Sequence, residues 1–290
     1  MLKRIGIIAN IEKPKTKEVL ISLVEWLETK GAEFALEEEL LTLVGKRESA
    51  YPREEVASRS DMIIALGGDG TLLAAARAVG RRGTPILGVN LGRLGFLTEL
   101  KPEEIFSTLE RIWKGDYTLE KRMIIKAVLL SKPGKPTFYA LNDLVIDKGS
   151  FSRVIQLETF INGESLSTFS ADGLILSTPT GSTAYSLSAG GPIINPHMEA
   201  IIITPICPHS LSVRPMVISQ EEVFEVAVYS DHNLAMLTID GQVGYELSSG
   251  DRVRITKGDY KITLVHSTAE SFYQVLREKL KWGLEPGSEG

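Results

Sequence analysis

The sequence predicts an α/β domain with a parallel sheet, followed by a mainly β domain and a C-terminal helix. Residues 1–100 alternate short apolar runs with longer amphipathic ones, which is the pattern of βαβ units. Beyond about residue 120 the chain changes to short β-branched runs separated by turn residues. Residues 269–282 return to helical spacing. We therefore expect domains at 1–118 and 119–266, with a helix and frayed tail at 267–290 that packs on the first domain.

The first domain shows its elements through hydrophobic spacing. The predicted elements are strand 3–10, helix 15–30, strand 61–66, helix 71–79 and strand 85–89. The first helix is expected to end at Gly31, because glycine adopts the left-handed conformation of a helix cap without strain.

The second domain carries turn signals between its apolar runs. The dipeptides Asn162-Gly163, Asp240-Gly241 and Gly258-Asp259 each fall between two such runs. Asparagine, aspartate and glycine favour the left-handed backbone of tight hairpin turns. We therefore expect a chain reversal at each of the three.

Composition narrows the possible functions. The chain has 290 residues, 43% of them hydrophobic and 24% charged, which is typical of a soluble globular protein. Its net charge of −5 offers no footprint for nucleic acid, and no apolar run is long enough to span a membrane. A single cysteine, Cys207, excludes an intramolecular disulfide and favours a cytoplasmic location. We expect Cys207 to be a small buried apolar residue.

A glycine-rich turn follows the second predicted strand. Gly67-Gly68-Asp69-Gly70-Thr71 stands between an apolar strand and a helix, where α/β sheets bind ligands. Glycine lets the backbone approach a phosphate closely, and amides at a helix start favour an anion. We therefore predict that Gly67, Gly68, Gly70 and Thr71 bind phosphate.

Asp69 is the unusual residue of this turn, because a phosphate repels a carboxylate. Phosphoryl transfer needs a base near the attacking hydroxyl, and Asp69 is suited to that role. The alternative is a tight turn in which Asp69 only caps the helix. The chain has no P-loop motif, no complete dinucleotide-binding glycine motif and no zinc motif.

Hydroxyl side chains are concentrated in residues 172–188. They surround one glycine and suit the polar edges of adenine, ribose and phosphate. The alternative is a serine- and threonine-rich loop whose hydroxyls bond to its own backbone.

Several segments in this order resemble the NAD kinase family. The glycine turn alone is also shared with the diacylglycerol kinases and the sphingosine kinases, and more distantly with the phosphofructokinases. The distinguishing segments are Asn90–Leu97, Asn142-Asp143, the run Asp172–Ser186 and Pro208–Pro215. The resemblance extends from the first strand to about Tyr260.

This resemblance implies a Rossmann-like α/β domain, a β-sandwich-like C-terminal domain and a dinucleotide bound between them. It implies that Asp69 is the general base, that Asp69 and Gly70 contact NAD, and that Asn142 and Asp143 bind a nucleoside part of it. The family usually has glutamate where this chain has Asp143. The shorter carboxylate still accepts hydrogen bonds from hydroxyls.

The remaining implied NAD contacts have open alternatives. Arg153 is either a nucleotide contact or an exposed surface arginine. Asp172 either recognises the adenine amino group or caps a local turn, and Gln242 either contacts NAD or simply follows a hairpin. The resemblance also implies that NAD is contacted by Thr183, Ala184, Tyr185, Ser186, Leu187 and Ser188.

The resemblance also implies the substrates and partners. ATP donates the phosphoryl group, Mg²⁺ arrives with the phosphates, and no protein metal ligand is assigned. The sequence leaves open whether polyphosphate replaces ATP and whether NADH is accepted. A homodimer or homotetramer is implied. The competing functions are a lipid kinase of the diacylglycerol type and a non-catalytic NAD(P)-binding sensor.

Overall fold

The computed structural model describes residues 4–45, 49–92, 95–98, 100–149, 154–230, 235–266 and 271–282. The chain divides into two compact units, residues 1–121 with 262–290, and residues 122–261. The first unit is α/β and the second is mainly β, with a C-terminal helix at the end of the chain. The predicted fold class is therefore confirmed.

The described residues form helices and strands in both units. The helices are α1 (Thr16–Thr29), α2 (Leu41–Val44), α3 (Arg53–Ser58), α4 (Asp69–Val79), α5 (Ile105–Trp113), α6 (Tyr185–Ser188) and α7 (Phe272–Leu280). The strands are β1 (Arg4–Ala9), β2 (Glu33–Glu37), β3 (Ala50–Tyr51), β4 (Met62–Gly67), β5 (Ile86–Asn90), β6 (Thr118–Leu129), β7 (Thr137–Ala140), β8 (Asp143–Asp147), β9 (Ile155–Ile161), β10 (Glu164–Ala171), β11 (Gly173–Ser177), β12 (Ala200–Ile206), β13 (Met216–Ser219), β14 (Phe224–Tyr229), β15 (Ala235–Ile239), β16 (Val243–Leu247) and β17 (Asp251–His266).

The sheet of the first unit is parallel, in the order β3-β2-β1-β4-β5. The end of β17 continues it, because Leu264 pairs in parallel with Ile86 of β5. Apolar residues of α1 and α5 pack against β1, β4 and β5 in one core cluster. The strand order reverses between β1 and β4, and open α/β sheets bind ligands beyond the carboxyl ends of strands at such a point.

The local signals of the first unit are largely confirmed. Gly31 has a left-handed φ of 64° after α1, as the cap prediction requires. The helix predicted to begin at Thr71 begins two residues earlier, at Asp69, with Gly68 as its cap. Asp69 is therefore the first helical residue.

The second unit contains two antiparallel arrangements of strands. One sheet has the order β13-β12-β11-β8-β15-β16. In the other, β10, β9, β14 and β17 are neighbours, and β6 pairs with β17 and β7. Their apolar faces share one core, to which Phe224, Leu176 and Leu237 each contribute a side chain with no exposed surface.

Two of the three predicted hairpin turns are confirmed and the third is wrong. Asn162-Gly163 and Asp240-Gly241 have φ values of 52°, 85°, 50° and 64°, all left-handed. Strand β17, however, runs straight through Gly258-Asp259. A Cβ on Gly258 would lie 2.3 Å from Cγ1 of Ile124. The glycine therefore permits close packing of backbone against a side chain, and not a turn.

Two further expectations concern burial and membranes. The burial predicted for Cys207 is wrong, because this residue is exposed and has a φ of 45°. Among the described residues no helix combines the length and apolar character needed to cross a bilayer. The frayed tail predicted for 283–290 lies outside the described residues.

Candidate active site

The glycine turn lies at the carboxyl end of β4, where the strand order reverses. The amide of Asn10, after β1, donates a hydrogen bond to the carbonyl of Leu66 at 2.9 Å. A Cβ on Gly67 would lie 2.2 Å from Oγ1 of Thr71, so no larger residue fits. Gly68 is the cap residue of α4 and has no side chain with which to bond the helix start. The start of a helix favours an anion.

The carboxylate of Asp69 is bound by the loop that precedes Leu100. Its Oδ1 accepts hydrogen bonds from the amides of Leu97 and Thr98, both at 3.1 Å, and from Oγ1 of Thr98 at 3.0 Å. Its Oδ2 accepts one from the amide of Phe96 at 2.9 Å. A Cβ on Gly95 would lie 1.9 Å from Oδ1, so the loop closes around the carboxylate only because residue 95 is glycine.

This arrangement distinguishes the two oxygens of Asp69. A carboxylate offers about four acceptor positions in all. Three donors occupy Oδ1, whereas Oδ2 has a single donor within the described part of the chain. Because Asp69 is only half-buried, Oδ2 is the oxygen that remains able to accept a proton from a ligand.

Asn90 holds the loop from the other side. Its Nδ2 donates to the carbonyl of Thr98 at 3.3 Å and to Oγ1 of Thr98 at 3.2 Å. Its Oδ1 accepts the amide of Gly92 at 2.7 Å. Asn90 is 4% exposed and Thr98 is fully buried. Asn90 and Thr98 therefore orient Asp69 through hydrogen bonds that are shielded from water.

Sequence reasoning missed a cation beside the glycine turn. Nζ of Lys13 lies 3.7 Å from the position that a Cβ on Gly92 would take. The neighbouring amide of Leu91 donates to the carbonyl of Gly67 at 2.8 Å, so this loop borders the turn. Lys13 is exposed, and its ammonium group has no hydrogen bond or ion pair within the described residues. Its position after β1 was the only available signal.

The second unit has a pocket of about 340 Å³ at the start of β8. Asn142 and Asp143 line it, as do Ala184 and Tyr185 of the hydroxyl-rich segment. The other lining residues are Val145, Asp147, Thr238, Asp240 and Gly241. The pocket thus brings together the Asn142-Asp143 pair and part of the segment that sequence reasoning assigned to NAD.

Asp143 is a carboxylate with an unusual environment. It is 4% exposed, and its side chain has no hydrogen-bond donor among the described residues. Burial, and secondarily the negative charge of Asp240, raise the pKa of Asp143 to about 7. Oδ1 of Asn142 is also buried without a hydrogen-bond partner in the described structure. Buried polar atoms of this kind are normally satisfied, so a ligand is the natural partner for both.

The hydroxyls of the 172–188 segment serve mostly to hold the protein together. Oγ of Ser182 donates to the carbonyl of Pro179 at 2.6 Å, and the hydroxyls of Ser186 and Thr204 lie 2.8 Å apart. Thr183 contacts the carbonyl of Thr180 at 3.3 Å. Ser188 is exposed and Leu187 half-buried, and neither lines the pocket.

Asp172 and Gln242 do not line the pocket. Oδ1 of Asp172 accepts a hydrogen bond from Nζ of Lys148 at 2.9 Å, so an ion pair already engages this carboxylate. Gln242 is exposed in the turn before β16, and its backbone amide donates a hydrogen bond to the carbonyl of Ile239. Arg153 lies outside the described residues.

The parallel sheet with its glycine turn and the polar pocket of the second unit are typical of one class of protein, the nucleotide-binding phosphotransferases, and the sequence has no P-loop motif. Comparison with known proteins then assigns the family. Residues 5–117 match the model of the ATP-NAD kinase N-terminal domain, and residues 141–267 match that of the ATP-NAD kinase C-terminal domain. The chain belongs to the ATP-NAD kinase family.

Individual relatives agree over nearly the whole chain. An NAD kinase of Geotalea daltonii is 45% identical over 284 residues, which are 97% of this chain and 99% of that protein. One from Moorella thermoacetica is 44% identical over 97% of this chain and 90% of its own.

Solved structures resemble this one as well. A yeast NADH kinase complexed with NADH has a TM-score of 0.91 at 26% identity, covering all of this chain and 90% of its own. An NAD kinase from Archaeoglobus fulgidus in complex with ATP has a TM-score of 0.77 at 26% identity, covering 96% and 98%.

Proposed function

We propose that this protein transfers the terminal phosphoryl group of ATP to the 2′-hydroxyl of the adenosine ribose of NAD, giving NADP and ADP. The observation that carries the proposal is Asp69, held by the 95–98 loop at the glycine turn with Oδ2 left for a substrate. A carboxylate there has no use in a protein that only binds phosphate, whereas phosphoryl transfer requires a base.

The base acts at the attacking hydroxyl. Oδ2 of Asp69 accepts the proton of the 2′-hydroxyl while the 2′-oxygen of the ribose bonds to the terminal phosphorus of ATP. The bond from this phosphorus to the bridging oxygen breaks, and ADP leaves with the electron pair. Three donors on Oδ1 fix the carboxylate, so little reorganisation is needed as the proton moves.

The phosphates of ATP are assigned to the first unit. The positive end of the α4 helix dipole and the ammonium group of Lys13 supply the positive charge. The assigned phosphate residues are Gly67, Gly68, Gly70, Thr71 and Lys13.

NAD recognition is assigned to the second unit. Asn142 and Asp143 present acceptors without donors in the pocket, as ribose hydroxyls require. Tyr185 is half exposed at the same pocket and offers a ring face for stacking. Asp69 contacts NAD through the 2′-hydroxyl, and Ala184 lines the pocket. The family resemblance adds the NAD contacts Gly70, Arg153, Asp172, Thr183, Ser186, Leu187, Ser188 and Gln242.

Mg²⁺ enters with ATP as part of the substrate. Within the described residues no three His, Cys, Asp or Glu side chains are grouped to hold a metal ion. Mg²⁺ commonly keeps several waters and binds phosphate oxygens with few protein ligands. The proposed metal is held by the phosphates, and no protein ligand is assigned.

The location and assembly are proposed on separate grounds. We propose a cytoplasmic protein, because the sequence has one cysteine and no pair for a disulfide. We propose a homodimer or homotetramer, which is supported by β13, an edge strand with exposed Met216 and Val217. Light scattering of the purified protein measures the oligomer size directly.

Purified protein incubated with NAD and Mg-ATP tests the function. NADP is detected with an NADP-specific dehydrogenase, and parallel reactions replace ATP by polyphosphate or NAD by NADH. Diacylglycerol is the control acceptor. Formation of NADP supports the proposal, whereas phosphorylated lipid without NADP, or NAD binding without any turnover, contradicts it.

A further inference from the structure

Asp240 occupies the turn between β15 and β16 and is 8% exposed. Its φ is 50°, in the left-handed region that aspartate adopts more readily than most residues in tight hairpins. The partners of its carboxylate lie at the start of β8, about a hundred residues earlier in the chain.

The carboxylate of Asp240 accepts hydrogen bonds from three consecutive amides. Its Oδ2 accepts the amide of Leu141 at 3.1 Å, and its Oδ1 accepts those of Asn142 at 2.7 Å and Asp143 at 3.1 Å. The amide of Asp240 donates in return to the carbonyl of Asp143 at 2.9 Å. One residue thus holds four backbone groups of this segment.

The other two carbonyls of the segment are held from the opposite side. Oγ1 of Thr178 donates to the carbonyl of Leu141 at 2.5 Å. The amide of Thr178 and Oγ of Ser177 both donate to the carbonyl of Asn142, at 2.9 and 3.1 Å. Every backbone donor and acceptor from Leu141 to Asp143 is therefore satisfied within the protein. The side chains of Asn142 and Asp143 remain available to a ligand.

We infer that Asp240 is a positioning residue for the NAD site, which fixes the backbone of Asn142 and Asp143 so that their side chains present acceptors to the ribose hydroxyls. The inference rests on the proposed function, because it takes NAD to be the ligand of this pocket. Asp240 acts through its neighbours and is not itself assigned a contact with the reacting atoms.

The charge of Asp240 adds a consequence that a purely structural role would lack. Burial raises the pKa of Asp143, and the adjacent Asp240 carboxylate raises it further, to about 7. The other titratable groups that line the pocket are Asp147, which lies on β8 with Asp143, and Tyr185 of α6. No cation lines the pocket within the part of the chain that the structure describes. Ionised Asp143 is the stronger acceptor for ribose hydroxyls, so NAD affinity should fall as pH drops through about 7.

Two substitutions separate the positioning role from the charge effect. Asp240→Asn keeps one acceptor oxygen and tolerates a left-handed φ, but it removes the charge. Asp240→Gly keeps the left-handed backbone of the turn and removes every side-chain acceptor. The control is Asp251→Asn, since Asp251 is a second buried turn aspartate, with the amide of Ser248 at 2.8 Å, and does not line the pocket.

The measurement is NAD affinity by calorimetry without ATP, from about pH 5 to pH 9, with thermal unfolding recorded for each variant. We expect about tenfold weaker NAD binding for Asp240→Asn at high pH, and a larger loss for Asp240→Gly. In both, the affinity midpoint should move to lower pH. Asp251→Asn should lose stability and keep the wild-type pH profile.

Two results would overturn the inference. One is a wild-type affinity profile in both Asp240 variants. The other is a loss of stability like that of Asp251→Asn with an unmoved midpoint, which would make Asp240 purely structural. Failure of the proposed function looks different, because the wild-type protein itself would then not bind NAD at any pH. If Asp240→Asn does not fold, Asp240→Gly decides the question alone.

Discussion

Oγ1 of Thr98 donates a hydrogen bond to Oδ1 of Asp69 at 3.0 Å, and the amide of the same threonine donates to the same oxygen at 3.1 Å. Thr98 is fully buried and lies 29 residues away along the chain. One threonine therefore fixes the orientation of the proposed base with both its backbone and its side chain. This relationship makes the geometry of Asp69 depend on a side chain with no exposed surface.

Replacing Thr98 by valine should lower kcat by about tenfold with little change in the KM of NAD or ATP. Valine keeps the volume and the amide but loses one of the three donors on Oδ1, a loss of about 1 kcal/mol or more. Steady-state kinetics measure the change. The control is Thr159→Val, which removes a buried hydroxyl bonded to the carbonyl of Ser167. Equal kcat in wild type and Thr98→Val would mean that Thr98 does not orient the base.

Replacing Lys13 by alanine should raise the KM of ATP by about 10- to 100-fold and leave NAD affinity unchanged. A charge-assisted hydrogen bond to phosphate contributes roughly 1.5–3 kcal/mol, and no protein group competes for this ammonium in the described residues. Lys17→Ala, on the exposed side of α1, is the matched control. If Lys13→Ala and Lys17→Ala both keep the wild-type KM of ATP, Lys13 does not bind the phosphates.

Replacing Asp143 by asparagine should stabilise the protein above pH 7 while weakening NAD binding. The pKa of Asp143 is raised from its ordinary value of 3.8 to about 7 by burial and by Asp240. Below 3.8 the folded and unfolded proteins are both protonated and ionisation carries no cost. The cost grows as pH rises and is complete above about 7, where it reaches roughly 4 kcal/mol.

Thermal unfolding at several pH values checks this prediction. The advantage of Asp143→Asn should be full above pH 7 and vanish by about pH 4. Asp251→Asn should lose stability, and this loss should be largest at high pH and shrink as pH falls. Burial acts to raise the pKa of Asp251, but its hydrogen bonds and Lys132 outweigh burial and lower it. A stability difference for Asp143→Asn that does not vary with pH would show that the carboxyl is not held protonated by the fold.

The α/β unit was predictable because its signals are local. Helix α1 follows from apolar spacing and ends at a glycine with a left-handed φ. The glycine turn stands between an apolar strand and a helix, which places it at a sheet edge. Local signals also mislead, since Gly258 sits in a turn-like dipeptide but serves close packing against Ile124 inside a strand.

The supporting residues of the site were not predictable because their partners are distant in the chain. Asp240 looked like an ordinary hairpin aspartate, yet its carboxylate holds amides up to 99 residues away. Thr98 carries no signal beyond its place after the family segment. In the 172–188 segment the hydroxyls of Ser182 and Ser186 bond within the protein, which hydroxyl enrichment alone does not reveal. Composition shows which polar groups a segment contains, but not which of them form hydrogen bonds within the folded protein.

The most direct test of the account is the rate of NADP formation by Asp69→Asn at saturating NAD and Mg-ATP. Asparagine is nearly isosteric and still accepts the amides of Leu97 and Thr98 on its oxygen, but it cannot take up the 2′-hydroxyl proton. We predict a fall in kcat and kcat/KM of about 10²- to 10⁴-fold with NAD affinity largely retained. A near-normal rate would contradict general-base catalysis, because it would leave Asp69 only the role of binding the 96–98 loop, which the oxygen of asparagine also does.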